Sequence, residues 1–178
     1  KLVDIKFKEI EPINNYRYIV SYTDPSFKSS TKSDFKATVV VGKNQTGEYH
    51  LLKAYVAQTS VKEMVQWHYT IHQNYSQHSS LYYYMESNFL QDLLFEEFTT
   101  TGLEFGMQIP IKGDNRAKPD KFQRIENLQP LFSRGLFYFN EAEKESSGTK
   151  KLIEQLLMIE KGSKVHDDGP DALEGAIW

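Results

Sequence analysis

The chain has 178 residues, 13% of them aromatic, with a formal net charge of -3 and no cysteine. That length suffices for one domain with a sizeable core, and 11 Tyr and 11 Phe mark a packing sequence, which excludes a disordered chain. The near-neutral charge excludes a globally basic nucleic-acid packager, the absence of cysteine excludes a disulfide framework, and no run reaches the roughly 18 apolar residues of a membrane span.

No signal-peptide pattern stands at the start, so a cytoplasmic setting is expected. The first residue is Lys1, and Trp178 falls inside an apolar helical pattern, so a piece of a longer protein is expected. Residues 1–15 read as a mixed lead-in ending in the loop signal Pro12-Ile13-Asn14-Asn15, and residues 16–178 as one domain.

Tyr16 to Tyr22 is β-rich and apolar enough for a central strand. It leads into Thr23-Asp24-Pro25, which sets Asp24 at the strand's exit; an Asp before Pro also initiates turns. After a Ser/Lys-rich loop come two more strands, Phe35 to Val41 and Glu48 to Gln58, and the short connections predict an antiparallel meander. Asp34, at the start of the second strand, fits a solvated or capping position. Thr59-Ser60 caps a helix in which Val61, Met64, Val65, His68, Ile71, His72 and Tyr75 recur at helical spacing. His68 and His72 lie four apart, but no Glu and no third ligand accompany them, so a partly buried helix face is expected.

Leu81 to Met85 predicts a fourth strand, followed by Glu86-Ser87-Asn88, again an acid at a strand exit. A helix is predicted over Phe89–Phe98 and a short fifth strand over Met107–Ile111. The most basic loop follows, leading into a helix from about Asp120 to Arg134. Lys112, Arg116, Lys118, Lys121 and Arg124 cluster there beside a helix start, as either a phosphate-contacting edge or a solvated loop. Leu136 to Asn140 predicts a sixth strand, and after a charged segment a helix carries Leu152, Ile153, Leu156, Leu157 and Ile159.

The chain closes on His166-Asp167-Asp168-Gly169-Pro170-Asp171-Ala172-Leu173, at the mouth of a final helix. Asp168 and Asp171 are three apart and share one side of a helical turn. Two explanations are open: helix capping by Asp168 with Asp171, or negative charge gathered around a cation. If the first and fourth strands are parallel neighbours, Asp24 and Glu86 leave the sheet at one edge, and a final helix across that edge adds Asp168 and Asp171. Oxygen donors without cysteine suit Mg²⁺ or Mn²⁺ rather than zinc, and two such ions could drive phosphodiester cleavage.

In order and spacing, Tyr22-Thr23-Asp24-Pro25-Ser26, Met85-Glu86-Ser87-Asn88 and His166 to Leu173 resemble the C-terminal nuclease domain of tailed-phage terminase large subunits, in the ribonuclease H-like superfamily. The closing motif also resembles the last motif of RuvC-type resolvases. The resemblance spans about residue 16 to the end. It implies an α/β ribonuclease H-like fold, with a mixed sheet of three antiparallel strands followed by parallel ones, flanked by helices. It further implies an endonuclease that uses two divalent metal ions, Mg²⁺ or Mn²⁺, to cut concatemeric double-stranded viral DNA during packaging, in the cytoplasm of a bacterial host. Asp24, Glu86, Asp168 and Asp171 are the implied catalytic metal ligands, with Asp167 a further candidate and His166 and Asp34 as residues supporting them. The implied partners are an ATPase motor domain, a small terminase subunit and a portal. The chain contains no GxxxxGK[ST] loop, so the motor is expected to lie outside it. A resolvase or transposase-like nuclease on the same fold, or a catalytically idle binding module, are the competing expectations.

Overall fold

The computed structural model describes residues 4–25, 35–78, 80–86, 92–116, 123, 126–160 and 168–177. Among these, the strands form one seven-stranded sheet. They are β1 (Phe7–Lys8), β2 (Tyr18–Asp24), β3 (Phe35–Lys43), β4 (Tyr49–Gln58), β5 (Leu81–Glu86), β6 (Ile111–Asp114) and β7 (Phe137–Asn140). The helices are α1 (Val61–Tyr75), α2 (Asp92–Phe105), α3 (Gln129–Ser133), α4 (Ser147–Glu160) and α5 (Asp168–Ile177). No helix among the described residues is long and apolar enough to cross a membrane.

The sheet order is β1-β7-β4-β3-β2-β5-β6. The expected meander is its centre, with β2, β3 and β4 antiparallel. Parallel strands flank it on both sides: β5 pairs with β2 and β6 with β5, while β7 pairs with β4 and β1 with β7. This is the mixed α/β sheet expected of a ribonuclease H-like fold.

Alternation along the strands divides the core into two layers. On one face, Ile19, Val40, Leu52, Tyr83 and Met85 pack with Met64, Val65, Tyr69 and Ile71 of α1 and Phe98 of α2. On the other, Val20, Tyr22, Val39, Leu51, Ala54, Phe137 and Phe139 pack with Phe132 of α3, Leu152 and Leu156 of α4, and Ala172, Leu173 and Ala176 of α5. Acids on the same side of the strands as Tyr22 therefore face α4 and α5.

Several element boundaries differ from the sequence expectation, each for a local reason. The fifth strand was expected over Met107–Ile111 but runs from Ile111 to Asp114. Pro110 has no N–H to give the ladder, so pairing begins just after it. Helix α2 continues beyond the expected Phe98 through three threonines to Phe105, and Gly106 at φ 75° ends it. Strand β1 is only two residues long, too short to leave a periodic signal, and places the lead-in segment beside Phe139 and Asn140 of β7. Of the helix expected over Asp120–Arg134, the described part is α3, with its helical neighbours Gln123 and Glu126.

His68 is wholly buried, and burial pushes its pKa down to about 4. One ring nitrogen lies 2.9 Å from the Met64 carbonyl and the other 2.9 Å from Thr23 Oγ1. It is thus a neutral core residue that ties α1 to β2, as a buried helix face requires.

Gly148 sits where α4 passes directly over β4: a Cβ there would overlap the Ala54 carbonyl oxygen. Gly148→Ala must push the helix away from the strand, and it is expected to destabilise the fold by about 1–3 kcal/mol. Urea unfolding midpoints of the two proteins check this; equal midpoints would contradict the close contact.

Candidate active site

Three acids end three neighbouring parallel strands. In the β2–β5 register Thr23 pairs with Met85, so the next residues, Asp24 and Glu86, stand side by side. In the β5–β6 register Glu86 pairs with Asp114. Neighbouring strands are about 4.8 Å apart, so the carboxylates line one short edge. All three share the face of Tyr22, since residues two apart in a strand point the same way. Asp24 is only 5% and Asp114 8% exposed.

Helix α5 crosses this face over β2 and β3. A Cβ on Gly175 would overlap the Tyr22 ring, so glycine lets the helix lie flat on β2. At the helix start, the Gly169 N–H donates to Gln155 Oε1 of α4 at 2.9 Å, which satisfies one of the donors that a first turn leaves open. The helix brings Asp171, 7% exposed, and Glu174, 5% exposed, into the buried layer. The Asp168 backbone begins the helix; its side chain, with Asp167, His166 and Asp34, lies outside the described residues.

The three strand-end acids have different surroundings. Asp114 accepts hydrogen bonds from Tyr22 Oη at 2.6 Å, the Arg116 backbone N–H at 3.1 Å, Arg116 Nε at 2.8 Å and Arg116 Nη2 at 2.7 Å. Burial alone would raise its pKa, but the hydrogen bonds from Arg116 and Tyr22 outweigh it and hold the carboxyl well below the usual range. Burial works against the charge on Arg116, and Asp114, with Glu174 behind it, more than restores it. Tyr22 is pushed up, first by burial and then by its bond to Asp114 and the charge of Glu86, so its hydroxyl stays protonated. Asp114 is consequently a neutralised anchor for Arg116.

Asp24 and Glu86 form a different kind of pair: oxygen donors on adjacent strands, beside a helix that carries further acids. Among the described residues, no three His, Cys, Asp or Glu side chains are arranged to hold a metal ion. The chemistry of the pair nevertheless fits a hard divalent cation such as Mg²⁺ or Mn²⁺, which takes carboxylate oxygens and relieves their mutual repulsion.

The sequence left Arg116 either in a phosphate-contacting edge or in a solvated loop. Its guanidinium forks onto Asp114, with its side chain 28% exposed. Lys112 is exposed on β6, while Lys118, Lys121 and Arg124 lie outside the described residues. Asp114 and Glu174 were missed. The strand-exit rule that found Asp24 and Glu86 finds Asp114 once the strand is begun after Pro110. Glu174 stands three residues beyond Asp171, one turn along the same helix.

Comparison of the whole backbone with solved structures finds likenesses in fold. The human cytomegalovirus terminase nuclease domain superposes with a TM-score of 0.66 at 15% identity, covering 92% of this chain and 84% of that one. The chain has the fold of a terminase nuclease domain. The HK97 bacteriophage large terminase aligns over 99% of this chain with a TM-score of 0.62 at 12% identity, and this chain spans 41% of its length. The nuclease domain of the large terminase subunit of bacterial virus Sf6, solved with manganese and β-thujaplicinol, aligns at 0.57 and 11% identity over 92% of this chain and 89% of that one. No protein-family model and no curated protein sequence matches the chain. At these identities the likeness is one of fold.

The Asp114–Arg116 pair has a measurable signature. A carboxyl whose folded pKa lies below its unfolded value adds stability above about pH 4 that is lost as pH falls. Removing the Arg116 side chain leaves the buried Asp114 carboxylate with the Tyr22 hydroxyl and a backbone N–H but without its cation, so Arg116→Ala is expected to cost about 3–5 kcal/mol at pH 7. The deficit should shrink towards pH 3.5, where Asp114 in the variant takes up a proton. Denaturant midpoints at the two pH values check this; a deficit independent of pH would contradict the pairing.

Proposed function

We propose that this chain is a divalent-metal-dependent endonuclease domain that cuts double-stranded DNA, of the kind that processes concatemeric viral DNA during packaging. The observation that carries the proposal is the placement of Asp24 and Glu86 side by side at the carboxyl edge of β2 and β5, under a helix bearing Asp171, in the terminase nuclease fold.

In this reading Asp24, Glu86, Asp171 and Asp168 hold two divalent ions, Mg²⁺ or Mn²⁺, with Asp167 as a further candidate. Ions held there supply Lewis-acid activation of the attacking water and stabilise the leaving oxygen of the phosphodiester. The chain's own residues do the positioning. Strands β2 and β5 fix the first two carboxylates through backbone pairing, and Gly175 lets α5 approach close enough to add its acids. Asp114 holds Arg116 beside the edge, and Lys112, Lys118, Lys121 and Arg124 supply the phosphate-contacting charge that a chain of net charge -3 needs to approach DNA. His166 and Asp34 would orient the ligands. By the terminase reading, the domain works attached to an ATPase motor domain, with a small terminase subunit and a portal as partners, in the cytoplasm of an infected or lysogenic host.

Supercoiled plasmid should be nicked and linearised with Mn²⁺ or Mg²⁺ and left intact in EDTA. Asp24→Asn should abolish cutting. Mn²⁺ at a hundred times its Kd should stabilise the native chain by about 2.7 kcal/mol, and Asp24→Asn by clearly less, read as shifts in Tm. Cutting that persists in EDTA, or equal Mn²⁺ shifts in the two proteins, would overturn the assignment.

The basic residues are tested by salt dependence. Each lysine that neutralises a phosphate contributes about 0.9 to the slope of log affinity against log salt. Lys118→Ala with Lys121→Ala should therefore flatten that slope by about 1.8, measured in Ca²⁺ to suppress cutting. An unchanged slope would place the DNA path elsewhere.

A further inference from the structure

Beside the acid edge lies a cavity of about 610 Å³ whose floor is a ladder of aromatic residues. Tyr18, Val20 and Tyr22 of β2 and Tyr82 and Tyr84 of β5 all project into it, with Val20 beside Tyr82 and Tyr22 beside Tyr84 in the strand register. Its walls are the Asp114–Arg116 segment on one side and the end of α5, Ala176 and Ile177, on the other. Tyr82 is 45% exposed, which is unusual for an aromatic in an otherwise packed sheet and leaves its ring accessible from the cavity mouth.

From this geometry we infer that the cavity receives an unstacked nucleobase of a DNA strand frayed next to the cut. The inference rests on the nuclease reading and adds what that reading leaves open, the strand state of the substrate. Three features select the ligand. The volume falls within the roughly 300–1,000 Å³ of small-ligand sites, enough for a base with its sugar. The accessible ring of Tyr82, with Tyr84 beyond it, offers a face on which any base can stack, without sequence preference, while Tyr22 backs the floor beneath α5. The polar wall is a matched ion pair: the Asp114 carboxylate accepts from Tyr22 and from the Arg116 guanidinium, so the wall carries little net charge and favours a flat neutral group over a free cation. The position fits as well. Asp114 is the register partner of Glu86, one strand away, so a strand whose phosphate lies at the acid edge can lay its next base on the tyrosine floor. A base inside a closed duplex has both faces covered by its stacking neighbours and presents none to the Tyr82 ring, so the cavity would separate a frayed strand from an intact one.

The test uses this 178-residue chain in Ca²⁺. One probe is a duplex with a short single-stranded overhang carrying 2-aminopurine; the other is the matching blunt duplex. The overhang probe should bind more tightly, and its 2-aminopurine emission should fall as the base stacks on tyrosine. Tyr82→Ala, at an exposed position that leaves the core intact, should weaken overhang binding by about 5- to 100-fold and abolish the quench, with blunt-duplex affinity unchanged. Tyr82→Trp should restore both. Equal overhang affinity in wild type and Tyr82→Ala, or no quench in the wild type, would overturn the inference. Plasmid cutting assayed in parallel separates the two ideas: cutting without overhang preference removes the base site and leaves the nuclease reading standing, and no cutting with any divalent ion removes both.

Discussion

The parallel pairing of β2 with β5 is the constraint on which the candidate site depends. Backbone hydrogen bonds fix its register to the residue, and a slip of one would turn Glu86 to the opposite face from Asp24. A parallel pair also requires a long crossover, and here β3, β4 and α1 supply it. The meander and helix between the two acids are therefore the connection that lets distant residues meet with strand ends aligned. The neutral His68, buried beneath β2 and bonded to Thr23, pins the strand from below at the position just before Asp24.

Close helix approach is the second requirement, and small residues satisfy it. Gly148 allows α4 to sit on the β4 backbone, and Gly175 allows α5 to sit on the Tyr22 ring. Between the helices, Gln155 accepts from the Gly169 N–H and so couples the start of α5 to α4. The acids of the last helix are thus placed by packing two elements away, through α4 to β4, as well as by their own segment.

The electrostatics divide the edge into two halves. At Asp114 an arginine fork and a tyrosine hydroxyl balance the charge within the protein. At Asp24 and Glu86 the donors are carboxylates in a row, an arrangement suited to an added cation. The tyrosine-floored cavity opens on the neutral half. One short edge thus carries a pair of carboxylates at one end and aromatic rings at the other.

By itself, the sequence determined the antiparallel meander, helix α1 and the two strand-exit acids, because period-2 and period-3.6 patterns and turn residues are local signals. Asp24 and Glu86 were legible because each directly follows a strong β-rich run, and the buried state of His68 followed from its place on an apolar helix face. Only the tertiary structure decided that Asp114 belongs to the same edge, because its role depends on β6 pairing beside β5 and on Tyr22 reaching it from two strands away. The partner of Arg116 was hidden for the same reason. A basic residue in a loop carries no local mark of the carboxylate it will fork onto, and the register that holds that carboxylate is set by backbone pairing between strands far apart in the chain.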